Sequence, residues 1–291
     1  MGHRLFTVAL AALLASTACS SSSDSPTGPS PNTGPITYTA IGASDGIGFG
    51  SSSPCVPFVI DCPDGLGYVQ ILRRDLVATG RTVTHFNRSL PGAVLSRAIE
   101  DLARDIGRPI DTLVSNFIER QSQFVPTDTT HLTIFAGGND ANVIAQAARA
   151  GRGGSDVNAY VDAQVNQWGI DLADLVSRVR SRAPTARIVV LNLINLAGAP
   201  YLSGNPTSEK SLMQRVAVGL SDRANALTAQ GVLVVDLMCD ARLYQSSSYA
   251  SDGFHPGDAG YRVFAELTLP ALRDGANNAP NTGCAQRRLF P

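Results

Sequence analysis

Two short stretches hold the residues best suited to chemistry. Gly42-Ala43-Ser44-Asp45-Gly46 follows an apolar run early in the chain, and Asp252-Gly253-Phe254-His255-Pro256 lies near its end. A serine hydroxyl is a poor nucleophile at its own pKa, so an imidazole must take its proton and a carboxylate must hold that imidazole in one tautomer. Ser44, His255 and Asp252 are candidates for those three roles. Protonation of His255 would remove the base, so an activity that rests on it is expected to fall in acid. Two further polar blocks lie between these stretches, Asn87-Arg88-Ser89-Leu90-Pro91-Gly92 and Gly137-Gly138-Asn139-Asp140. Taken singly, each residue also suits a plain structural role. Ser44 could cap a helix, Asn139 and Asp140 could be loop and cap residues, and Asp252-Gly253 could be a turn beside an exposed loop histidine.

The elements that must position these blocks show in the hydrophobic pattern. From Ile36 onward, short β-branched runs alternate with longer helical segments, the pattern of a parallel sheet covered on both faces. Strands are expected at 37–42, 82–86, 132–135, 188–193 and 232–236. Helices are expected near 66–78, 93–104, 111–121, 142–150, 160–182, 209–229 and 258–273. The fold class is therefore α/β, a flavodoxin-like three-layer α/β/α sandwich on a five-stranded parallel sheet. Each polar block then falls at the C-terminal end of a strand, the edge where open α/β folds bind ligands. His85 and His131 fall inside or just before strands and are expected to have no catalytic role. Gly46, Gly48 and Gly50 lack a dinucleotide fingerprint and no Walker-type loop is present, so no nucleotide cofactor is expected.

Ser44, Gly92, Asn139 and His255, in this order and each at a strand's end, resemble the four marker residues of the SGNH (GDSL-like) hydrolase family. The resemblance covers about 36–273, and its most specific parts are Gly-Gly-Asn-Asp and Asp-Gly-Phe-His-Pro. It implies a serine esterase that works through an acyl-enzyme, with Ser44 as nucleophile, His255 as base and Asp252 as orienter. It further implies an oxyanion hole made of the Ser44 N–H, the Gly92 N–H and the Asn139 side-chain amide, and no metal or organic cofactor. The family usually reads Gly-Asp-Ser at the first block; here Ala43 precedes the serine and Asp45 follows it.

Bulk properties narrow the setting. The chain has 291 residues, 44% hydrophobic and 16% charged, enough for one well-buried domain. A net charge of −1 and no basic run interleaved with aromatics argue against nucleic acid as a partner. Arg4 precedes an apolar stretch, 5–15, that has signal-peptide length and is too short to span a membrane. Ser16-Thr17-Ala18-Cys19 resembles the lipobox of bacterial lipoproteins, although Ser16 stands where leucine is usual. The expected organisation is a signal peptide (1–18), a lipidated Cys19 with a disordered Ser/Pro/Gly linker (19–35) and a hydrolase domain (36–291), anchored to the bacterial cell envelope. An ordinary cleaved signal with release from the cell is the other reading. Setting Cys19 aside leaves four of the five cysteines, an even number suited to an oxidising compartment. The expected pairs are Cys55 with Cys62 and Cys239 with Cys284; neither has metal-ligand spacing.

The substrate is an ester whose acid and alcohol stay open. Apolar loops at 54–63 and 194–206 hint at lipid-like or short acyl esters, unless they pack on the domain itself. A carbohydrate O-deacetylase of the same family and a non-catalytic surface binding module are the alternatives.

Overall fold

A computed structural model gives the structure of the protein and describes residues 1, 34–55, 62–108, 116–276 and 279–291. The β-branched runs form strands β1 (Ile36–Ile41), β2 (Val83–Asn87), β3 (His131–Phe135), β4 (Arg187–Leu191) and β5 (Leu233–Val235). They pair in the order β2-β1-β3-β4-β5, every pair parallel. The centre of the sheet is β3, and beside it lies β1, whose Tyr38 stands opposite His85 on one side and His131 on the other. Every residue of β3 is buried, including the polar His131 and Thr133.

Helices α1 (Tyr68–Val77), α2 (Arg97–Asp105), α3 (Phe117–Arg120), α4 (Gly138–Ala147), α5 (Val157–Arg182), α6 (Thr207–Ala226) and α7 (Asp258–Asp274) cover both faces of the sheet. One layer pairs α1 with α7; in the other, α4 packs on α2 and α6, and α6 on α5. Tyr68, Phe135, Phe264 and Tyr261 form a buried chain of edge-on and tilted rings between sheet and α7, with neighbouring centroids 5.4–6.3 Å apart. The single tryptophan, Trp168, is buried on α5.

Element boundaries moved where local chemistry outweighs periodicity. Helix α4 begins at Gly138, four residues earlier than the expected 142, so Asn139 and Asp140 lie in its first turn. Helix α2 begins at Arg97 because 91–96 is occupied by a turn and by a bridge between Val94 and Asn116. Of the helix expected at 111–121, residues 111–115 lie outside the described residues and the rest contains α3.

Cys55 pairs with Cys62 and Cys239 with Cys284, their Cα atoms 5.9 and 5.7 Å apart. The second bond holds the C-terminal tail, which Gln214 of α6 also grips: its Oε1 accepts from the N–H of Leu289 and of Phe290, and its Nε2 donates to Phe290 O. Gly34 and Pro35 lead into β1 at the N-terminal edge of the sheet, and the polar blocks emerge at the opposite edge. Among the described residues no helix is long and apolar enough to cross a membrane.

Candidate active site

After β1 the chain passes Gly42 and Ala43 and enters a single 3-10 turn, Ser44–Ile47. Gln121 fixes where that turn begins. Its Nε2 donates to Gly42 O at 2.9 Å and its Oε1 accepts the Gly42 N–H at 3.1 Å, so one buried side chain holds both backbone groups of one residue. Phe49 N–H closes the turn onto Ser44 O at 3.0 Å. Ser44 is left 6% exposed, and its N–H, first in the turn, has no acceptor among the described residues.

The Ser44 hydroxyl lies 2.9 Å from His255 Nε2, and His255 Nδ1 lies 2.6 Å from Asp252 Oδ2. The other Asp252 oxygen accepts the N–H of Phe254 at 2.9 Å and of His255 at 3.0 Å. The carboxylate thus holds the histidine's ring and its backbone together. Partial burial resists ionisation of Asp252, but the bonds from the His255 ring and from the two N–H groups prevail and hold the carboxyl below the usual carboxylate range. With Nδ1–H donated to Asp252, Nε2 is the acceptor facing Ser44.

The second block lies between the first and the third. Asn87 Nδ2 donates to Gly46 O at 2.7 Å, and Leu90 N–H donates to Gly42 O. Residues Leu90 to Ala93 form a turn closed by Ala93 N–H to Leu90 O, with Pro91 and Gly92 at its centre. Gly92 has φ +76°, the left-handed value that a type II turn demands at that position. Its N–H has no acceptor among the described residues. From the other side, Asn139 Nδ2 donates one hydrogen to Ala93 O at 3.0 Å, and Asp140 Oδ1 accepts the Leu95 N–H at 2.8 Å. The Asn139 amide carries a second hydrogen. Ser44, Gly92, Asn139 and His255 all open onto one cavity of about 380 Å³.

Asp45 occupies the first turn after the serine; burial raises its carboxyl above the usual range, with nearby His255 opposing. Asp140, for which a loop or cap role is the plain alternative, ties α4 to the segment that follows the second block. Burial pushes its carboxyl up to about 6, against the pull of backbone N–H groups, Leu95 foremost. An unfolded aspartate titrates near 3.8, so the folded chain holds the extra proton between pH 4 and 6 and stability falls as pH rises through that interval. The loss is about 3 kcal/mol at most. Asp140→Asn keeps an acceptor for Leu95 and cannot ionise. Denaturant melts at a series of pH values are therefore expected to lose that slope relative to the parent, and an unchanged slope would refute the assignment.

His85 and His131 lie on β2 and β3, away from the cavity. His131 is buried with Nδ1 against Thr130 Oγ1, and burial, with Arg187 and Arg81 adding to it, lowers its pKa to about 4. Sequence reasoning assigned no site role to Phe49, Arg108, Gln121, Asn142, Gln146 or Phe254. All but Gln121 line the cavity. Asn139, Asn142 and Gln146 recur at i, i+3 and i+7 on a helix whose other positions are largely buried and apolar, a pattern visible in the sequence. The apolar loop 194–206 is mostly core, with Leu196, Ala197, Ala199 and Leu202 at most 6% exposed; of its residues Tyr201 reaches the cavity. Residues 56–61 of the other apolar loop lie outside the described residues. Among the described residues no group of three or more His, Cys, Asp or Glu is placed to hold a metal ion.

The structure is similar to an extracellular lipase from Streptomyces rimosus, with TM-score 0.54 and 17% identity over 83% of this chain and 100% of that one. It is similar to a phospholipase A1 from Streptomyces albidoflavus, with TM-score 0.52 and 18% identity over 83% and 100% of the two chains. An acetyl xylan esterase from Geobacillus stearothermophilus gives TM-score 0.51 and 16% identity over 86% and 98%. At such identities the likeness is one of fold. No curated protein matches the sequence significantly. The model of the GDSL-like Lipase/Acylhydrolase family matches residues 44–263, a span that starts on Ser44 and takes in Gly92, Asn139 and His255, and the chain belongs to this family of ester-hydrolysing enzymes.

Proposed function

We propose that the chain is a serine carboxylester hydrolase in which Ser44 attacks the acyl carbon, His255 takes its proton and Asp252 orients the imidazole. The observation that carries this reading is the run of contacts from Ser44 Oγ to His255 Nε2, 2.9 Å, and from His255 Nδ1 to Asp252 Oδ2, 2.6 Å, opening onto one cavity with Gly92 and Asn139. The Ser44 oxygen bonds to the acyl carbon, and the alcohol departs with the proton from His255. Water, deprotonated by His255, then releases the acid and restores the serine. Negative charge on the carbonyl oxygen would be met by the Ser44 and Gly92 N–H groups and by the second Asn139 hydrogen. A fluorophosphonate probe is expected to form one adduct, on the peptide bearing Ser44; a folded protein that takes no label there would instead favour a binding module.

Asn139→Ala removes one oxyanion donor and is expected to lower kcat on a nitrophenyl ester about 10²–10³-fold with KM little changed. A fall confined to KM would reassign Asn139 to ground-state binding.

The cavity walls include Phe49, Pro91, Tyr201 and Phe254, which supports short acyl or lipid-like esters over broad glycan chains. The fold itself does not choose, since it is shared by a lipase and an acetyl xylan esterase. A chain-length series of nitrophenyl esters run beside acetylated xylan discriminates: sugar release with a rate maximum at acetate would favour O-deacetylation. For the N-terminal segment the proposal is a signal peptide, a lipidated Cys19 and a linker up to residue 35, leaving the enzyme on the bacterial cell envelope. Radiolabelled palmitate incorporation that disappears in Cys19→Ala tests it.

A further inference from the structure

An arginine side chain lines the cavity with no counter-ion among the described residues. Arg108 shares the cavity with Ser44, Asn139 and His255, yet among the described residues no carboxylate lies within 4 Å of its guanidinium and its buried Nη1 has no hydrogen-bond partner. Arg149, another cation close to Tyr201, is by contrast paired with Glu209. A guanidinium carries five donors in a planar fork, and leaving buried donors unmade is costly.

The backbone shows that Arg108 is held in place. Helix α2 ends in a Schellman motif: Gly107 takes φ +73° and donates to Arg104 O, and Arg108 N–H donates to Ala103 O, both at 2.9 Å. The residue at Arg108's place in that motif ordinarily packs an apolar side chain back on the helix. Pro109 follows and restricts Arg108 to extended backbone. An apolar residue would serve the helix end better, so the choice of arginine calls for a reason in the cavity. Burial also lowers the guanidinium pKa, a cost only partly relieved by Asp140 and Tyr201 nearby. Asp140 already accepts from Leu95.

We propose that Arg108 is a specificity residue that binds an anionic group, carboxylate or phosphate, carried by the substrate ester. The idea rests on the hydrolase reading above and adds the substrate class: a charged ester whose anion is held by the fork while its carbonyl lies at Ser44. The polar face of α4, with Asn142 and Gln146, borders the same part of the lining and could share the anion's remaining acceptors.

The test compares matched pairs. On the acyl side it uses mono-4-nitrophenyl adipate against 4-nitrophenyl hexanoate; on the alcohol side, butyryl glycerol phosphate against monobutyrin. In the wild type, one anionic ester is expected to exceed its neutral partner in kcat/KM by roughly 10- to 100-fold, the range of a hydrogen bond to a charged group, and the pair that responds tells which side carries the anion. The ratio should collapse towards one in Arg108→Gln and survive in part in Arg108→Lys. As a readout free of turnover, adipate or glycerol phosphate should bind the Ser44→Ala protein in calorimetry and fail to bind Ser44→Ala/Arg108→Gln, with thermal melts showing that both are folded. Equal rates on both members of each pair, or a preference that persists in Arg108→Gln, would overturn the proposal while leaving the hydrolase reading intact. If no ester is turned over in a Ser44-dependent way, the hydrolase reading itself fails.

Discussion

Ser44→Ala is expected to lower kcat on a nitrophenyl ester by about 10⁴-fold or more. Members of such a unit do not contribute additively; once the nucleophile is gone, base and orienter have nothing to activate, and what remains comes from substrate binding and the oxyanion donors. The change removes one oxygen from a residue only 6% exposed and leaves the Asp252 bond to the imidazole in place. The melting temperature should therefore stay near that of the parent, which separates lost chemistry from lost folding. Label from a fluorophosphonate should disappear in parallel. Full activity in the alanine variant would sink the assignment of the nucleophile, whatever the fold.

Asp252→Asn should cost about 10²–10⁴-fold in kcat, for a reason that can be read atom by atom. Oδ1 would still accept from the N–H groups of Phe254 and His255, so the loop keeps its shape. The amide nitrogen would replace Oδ2 beside His255 Nδ1 and would present a donor where the ring now donates. The imidazole must then accept at Nδ1 and carry its hydrogen on Nε2, the nitrogen facing Ser44, where it can no longer receive the serine proton. Asp252→Ala is the control. It removes the wrong-tautomer lock together with the orienter, so an asparagine variant as slow as, or slower than, the alanine variant supports tautomer control. An asparagine variant with parental kcat would show that Asp252 orients nothing.

Much of this was legible in the sequence because its cues were local. The β-branched runs located all five strands, since a strand buried on both faces tends to leave a continuous apolar record, as Ile188 to Leu191 do in β4. Ser44, Gly92 and Asn139 follow closely on the ends of β1, β2 and β3, because a parallel sheet brings such ends to one edge, whereas His255, also expected at a strand end, lies well beyond β5 in the loop just before α7. What escaped detection depends on contacts distant in sequence. Gln121 reaches Gly42 across 79 positions, and nothing near it in the chain marks that use. Arg108 falls between the helices expected at 93–104 and 111–121 and lies just past the end of α2; that its side chain enters the cavity follows only from where α2 packs on α4. Helix α4 was expected to start late because Gly137-Gly138 reads as a loop, whereas Gly137 O accepts the Ala141 N–H and opens the helix there.

The chain enters the sheet at the edge opposite the cavity, and this sets how the molecule can be mounted. Strand β1 has six residues, so Gly34 and Ser44 are separated by about 20 Å of extended backbone running through the core. A bead or electrode coupled at residue 34 would therefore sit behind the enzyme, with the cavity mouth facing the liquid. Immobilised in that orientation, the protein meets dissolved or dispersed esters without having to turn, and a spacer at the coupling point would be unnecessary for access.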